Sequence, residues 1–175
     1  NSLAKVLSHI LSEKATSIQP VLTPFFSDKE IVNKNHPYFN TKNRGEWAWT
    51  LGKEQYDWFR ATLEKSKAPF KFVFSHQLVG GSGKEARGGT EFAHLFEMGG
   101  MNADSTWGFD SNRSGWGKPI HQLMVENKVS VFFHGHDHFF CKQEKDCLIY
   151  QETPQPSHPN FSSVNYADDY GYFAG

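Results

Sequence analysis

Val129-Ser130-Val131-Phe132-Phe133-His134-Gly135-His136-Asp137-His138 is the stretch on which the reading of the fold turns. Its first five residues are rich in β-branched and aromatic side chains and predict a strand over 129–133. A histidine-rich turn follows directly. Upstream, Phe70-Lys71-Phe72-Val73-Phe74-Ser75 repeats the pattern, a strand over 70–75 with His76 immediately after it. Between the two strands runs a glycine-rich loop from Gly80 to Gly89. A short helix then carries Phe92, Leu95 and Phe96, capped by Thr90 and stopped by Gly99-Gly100. Residues 100–117 read as irregular. A further helix starts at Pro119, buries Ile120, Leu123 and Met124, and ends at Asn127. Helices alternating with buried strands imply parallel pairing through crossovers. In such sheets ligands bind beyond the carboxyl ends of the strands. Both histidine clusters sit at such ends, so the fold is expected to bring them onto one rim.

Working outward, Tyr56, Phe59 and Leu63 give a helix over 53–66 its apolar stripe. Downstream, a hairpin is expected with 139–145 against 148–152 and Asp146-Cys147 as its turn, where Asp-Gly commonly stands. Leu3, Val6, Leu7, Ile10 and Leu11 predict an amphipathic helix over 3–14, and residues 15–45 lack any period. The expected organisation is therefore an unassigned N-terminal segment over 1–45, an α/β unit over 46–157 and an irregular tail over 158–175. The chain opens at Asn1 without a charged region leading into an apolar one, so a processed or excised start is expected.

Three histidines carry the candidate chemistry. His136 and His138 flank a single residue, and His76 supplies a third ring from the neighbouring strand end. Neutral imidazole is the commonest ligand for zinc, iron and manganese, and Gly135 is expected to allow the sharp turn that makes the rings converge. An isolated histidine is most often packed or exposed without a role, but Gly-His-x-His after an apolar strand, with a second strand ending in His, points to a metal. His134, of opposite parity on its strand, is assigned a supporting hydrogen bond beneath the site. Asp137 is assigned either to orienting a ligand ring or to stabilising the turn. His121 reads as a satisfied packing histidine. A Ser75–His76–Asp137 hydrolase triad is disfavoured, because adjacent strand side chains point apart and no nucleophile elbow is present.

Strand followed by Gly135-His136-Asp137-His138 resembles the last signature of the calcineurin-like metallophosphoesterases. Phe72-Val73-Phe74-Ser75-His76 resembles the signature before it, and Leu51 to Phe59 the helix preceding that strand. Arg87-Gly88-Gly89 and Gly115-Trp116-Gly117-Lys118-Pro119-Ile120-His121 are similar to segments of a bacterial branch. The resemblance implies the C-terminal part of a four-layer α/β/β/α sandwich. It implies two metals drawn from iron, manganese and zinc, with His76 and His136 on one and His138 on the other. It implies hydrolysis of a small-molecule phosphate ester by a metal-held hydroxide. The family's Asp-x-His, Gly-Asp and Gly-Asn-His motifs do not occur here. The expectation is therefore that a missing N-terminal half or a partner chain completes the site, and that the chain alone is weakly active or a non-catalytic metal-binding module.

Composition excludes several other classes. The 175 residues carry 18 Lys+Arg against 19 Asp+Glu, so no basic excess favours nucleic acid. No stretch approaches the roughly 20 apolar residues of a spanning helix. Two cysteines, Cys141 and Cys147, exclude a disulfide scaffold and leave a single bridge or two thiols open. With the family's habit they favour a periplasmic or extracellular compartment. Gly80-Gly81-Ser82-Gly83-Lys84 fails as a nucleotide phosphate loop, because Leu78 and Glu85 replace the required Gly and Ser/Thr. Lys84 and Arg87 stay as candidates for meeting substrate phosphate. Tryptophans 47, 49, 58, 107 and 116 read mainly as packing, with a stacking face for a sugar or base as the other use.

Overall fold

A computed structural model describes residues 46–78 and 88–154, which form a mixed α/β unit around one four-stranded sheet. A 3-10 turn, Glu46–Ala48, precedes helix α1, Lys53–Lys65. Strand β1 is Phe72–Phe74. Two four-residue helices follow, α2 Phe96–Gly99 and α3 Phe109–Asn112, then α4 Ile120–Glu126. Strand β2 is Val131–His134, β3 Cys141–Lys145 and β4 Leu148–Glu152. The expected helix over 3–14, the segment 15–45, the loop through Lys84 and Arg87, and the tail lie outside the described residues. Among the described residues no helix is long and apolar enough to cross a membrane.

The strands run in the order β1-β2-β4-β3. β1 pairs parallel with β2, as alternating helices and strands predicted, with Phe72 opposite Val131. β2 also pairs parallel with β4, setting His134 opposite Glu152. β3 closes the edge antiparallel to β4. The hairpin turn is Asp146-Cys147, with φ 52° and 62°. Two successive left-handed residues make the tight turn that matches strand twist.

That hairpin also answers the question the cysteines posed. Cys141 opens β3 and Cys147 sits in the turn beyond its end, and both are free thiols. Five residues of extended chain, at about 3.4 Å each, hold them far beyond disulfide reach.

Parity along the strands separates two faces. Phe132, Leu148 and Tyr150 point into a core shared with Tyr56 and Leu63 of α1 and Leu123 and Met124 of α4. The other face carries Phe72, Phe74 and Phe133, with Phe74 67% exposed and its ring stacked 4.8 Å from that of Phe133.

Differences from expectation concentrate between 90 and 117. The chain from Thr90 to Leu95 is a run of turns closed by bonds such as Leu95 N–H to Phe92 O at 3.0 Å. Thr90 opens these turns and not a helix, and its N–H goes to the Gln143 side chain at 3.1 Å. Phe96 enters α2 with φ 45°, and Gly100, at φ 95°, closes it. The segment read as irregular contains α3. Strand β2 begins later than 129 and runs on through His134.

Tyr56 ties α1 to the start of α4. Its hydroxyl donates to Lys118 O at 2.8 Å and accepts from Lys118 N–H at 3.3 Å, and its ring stacks on Trp116. Tyr56→Phe removes the partner of the Lys118 amide and carbonyl. It should lower stability by about 1–2 kcal/mol, read as a drop in urea midpoint at unchanged slope. An unaltered midpoint refutes the tie.

Candidate metal-binding rim

The parallel pairing of β1 and β2 continues past their last ladder residues. Ser75 N–H donates to Phe133 O at 3.0 Å, and Gly135 N–H donates to His76 O at 2.9 Å. The two histidine-bearing strand ends are thus stitched together by main chain before any side chain is considered. Across that stitch, His76 Nε2 and His136 Nδ1 lie 2.9 Å apart, with the rings nearly perpendicular. Sixty residues separate the two histidines in the chain. As it stands this is one hydrogen bond, an N–H of one ring facing the lone pair of the other.

The sharp turn is not where the sequence placed it. Gly135 is absent from the left-handed residues, whereas His136 has φ 90° and His138 φ 65°. A side chain held at such angles costs on the order of 1–3 kcal/mol and persists only where surrounding contacts over-determine it.

Those contacts lie directly beneath. His134 is buried on the core face, stacked on Phe132, with Nδ1 2.7 Å from Glu152 Oε2. Its Nε2 is buried without a hydrogen-bond partner among the described residues. The other Glu152 oxygen accepts from Asp137 N–H at 3.2 Å. The Asp137 carboxylate, also buried, accepts from Gly88 N–H at 2.9 Å and so ties the histidine turn to the end of the preceding loop. Thr153 clamps the His134 carbonyl with its N–H at 2.8 Å and its hydroxyl at 2.9 Å. Burial pushes the Glu152 carboxyl above its ordinary value. The adjacent His134 opposes that shift and the Asp137 charge adds to it.

Glu152 escaped the reading of the sequence, which treated it only as the end of a hairpin strand. A signal was present: Leu148, Tyr150 and Glu152 share one parity, and a carboxylate closing an apolar stripe needs a buried partner. His121 is the satisfied packing histidine that its helix suggested. Its Nδ1 meets the Tyr150 hydroxyl at 2.7 Å and its Nε2 meets Asp146 at 2.8 Å. Trp47 and Trp116 bracket the Arg113 guanidinium, at 5.3 and 5.2 Å, and so serve packing.

As to metal binding, a 2.9 Å nitrogen separation is what two ligands about 90° apart on one ion present at bond lengths of about 2.0–2.1 Å. The donor set is neutral imidazole at a solvent-facing rim. The His76–His136 pair therefore fits one ion as two of its ligands. His138 is half-buried, two residues further along the same turn. Among the described residues no three His, Cys, Asp or Glu side chains gather into a metal site. Comparison with protein-family models, with curated proteins and with solved structures finds no match for the chain.

Proposed function

We propose that this chain carries part of the active site of a calcineurin-like metallophosphoesterase, hydrolysing a small-molecule phosphate ester. The single observation that carries the reading is the meeting of His76 and His136 at the carboxyl ends of adjacent parallel strands. His76 and His136 would hold one metal and His138 a second, the division that the resemblance implies. Iron, manganese or zinc bound there would supply the positive charge that polarises a phosphoryl oxygen and favours water as nucleophile. His134, Glu152 and Asp137 hold the ligand turn from below. Arg87 and Lys84 are proposed to meet the substrate phosphate. Further ligands, including a bridging carboxylate, come in this reading from outside the described residues or from a partner chain. The proposed fold is the C-terminal part of the four-layer sandwich, and the exposed aromatic face of β1 and β2 fits a second layer lying there.

The test is elemental mass spectrometry on protein purified without chelators or a polyhistidine tag, paired with turnover of a chromogenic phosphate ester. About two transition metals per chain and metal-dependent turnover support the reading. His136→Ala should then lose one metal and at least about 100-fold in activity. Unchanged turnover in that variant sinks the assignment.

A second reading is a non-catalytic module that binds one metal. The observation favouring it is that two imidazoles meet there while no third His, Cys, Asp or Glu among the described residues gathers with them. One metal per chain, lost in His76→Ala, with no turnover, selects it.

A further inference from the structure

We propose that Glu152 is a positioning residue for His136, and that its Oε1 fixes the main chain so that the His136 ring meets His76. The inference rests on reading that pair as the metal-binding edge of the site. Two amides flank His136, and each is held by a different partner. Gly135 N–H is held by the carbonyl of His76 itself, at 2.9 Å, which fixes where His136 enters. Asp137 N–H is held by Glu152 Oε1, at 3.2 Å, which fixes the direction in which the chain leaves. Between these two ties His136 is forced to φ 90°, a conformation a histidine would not adopt unaided.

Glu152 is built to hold its end of the tie rigidly. It is fully buried at the end of β4, so its carboxylate has no water to turn towards. Its second oxygen is 2.7 Å from His134 Nδ1, which stops rotation about the side chain. The next residue, Thr153, fixes the backbone through both of its bonds to the His134 carbonyl. Stability alone does not explain the choice of residue. A buried polar or ionic pair is commonly matched or bettered by apolar side chains of similar volume, and the rest of this stripe, Leu148 and Tyr150, is largely apolar. Reach does explain it. The end of a glutamate side chain at this register position spans from β4 to the Asp137 amide on the far side of His134.

The two variants that separate reach from charge are Glu152→Gln and Glu152→Asp. Glutamine keeps the length and the acceptor oxygen. Aspartate keeps the charge and retracts the acceptor by one methylene. The readout needs no turnover: nitrogen-15 NMR of the metal-free protein, following the scalar coupling across the His76 Nε2–His136 Nδ1 hydrogen bond and the HN–Hα coupling of His136. Cobalt(II) titration supplies an affinity for the same samples. The expected result is that Glu152→Asp loses the cross-ring coupling and binds cobalt about 10–100-fold more weakly, while Glu152→Gln keeps the coupling and stays within about threefold of the parent. Retention of the coupling in Glu152→Asp, even with a lowered melting temperature, overturns the positioning role and leaves the metal-site reading standing. Absence of the coupling in the parent protein overturns both together.

Discussion

Arg113→Met should destabilise this protein by about 3–5 kcal/mol, because it strands a buried carboxylate. Glu97 is fully buried and accepts hydrogen bonds from Leu51 N–H, at 2.8 Å, and from Arg113 Nε. The same guanidinium donates to Trp47 O at 2.6 Å and lies between the rings of Trp47 and Trp116. One cation thus joins the 3-10 turn at 46–48, α2 and the end of α3. Methionine fills much of the slot between the rings but offers nothing to the carboxylate. The pH dependence has a definite sign. Burial raises the Glu97 carboxyl above 4.5 in the folded protein, and Arg113 is the foremost influence opposing that rise. A raised carboxyl favours the folded state most below the unfolded value and loses that contribution as pH climbs through the folded value. Without Arg113 the folded value climbs further, so the deficit of the variant should shrink on going from pH 7 to pH 5. Urea unfolding at both pH values measures it. The double variant with Glu97→Gln should recover most of the loss. A deficit below about 1 kcal/mol, or one indifferent to pH, would show that the pair is not the tie described.

Gly99→Ala should be comparably damaging, for a steric reason. A Cβ placed there would lie 2.2 Å from the main-chain carbons of His94 and 2.3 Å from Ala93 O. Those neighbours are backbone, so no side chain can swing aside. The turn is already tight: Gly99 N–H bonds Leu95 O at 2.9 Å, and Phe96 one turn earlier sits at φ 45°. The expected cost is about 3 kcal/mol or more, or a fall in melting temperature of about 10 °C. Gly115→Ala is the control. Gly115 has φ 79° but nothing within 4 Å of a would-be Cβ, so it should cost only the left-handed backbone penalty of about 1–2 kcal/mol. Equal losses in the two variants would show that the crowding at Gly99 relaxes and costs no more than an ordinary backbone penalty.

The Glu97–Arg113 pair was not visible in the sequence, and Gly99 read there only as a helix stop. Glu97 and Arg113 are 16 residues apart, one within and one directly after helices of four residues each, too short to declare themselves by periodicity. Thr90 illustrates the converse. Its position before Phe92, Leu95 and Phe96 reads locally as a cap, yet its N–H is taken by Gln143 from β3, and a turn forms where a helix was expected. A local cap preference worth about 1 kcal/mol is too small to impose a helix by itself.

What the sequence determined by itself are the features set by neighbours along the chain. The β-branched and aromatic runs made β1 and β2, the apolar stripes of α1 and α4 turned them to one core, and Asp146-Cys147 closed the hairpin. The alternation of these elements placed His76 and His136 at equivalent strand ends. What only the tertiary structure decided is how side chains meet once those ends are abreast: His76 against His136, His134 against Glu152, and Glu152 beneath the Asp137 amide. Local spacing cannot determine such contacts. A shift of one residue in strand register reverses which side chains face the core, and that register is chosen by the packing of the whole sheet.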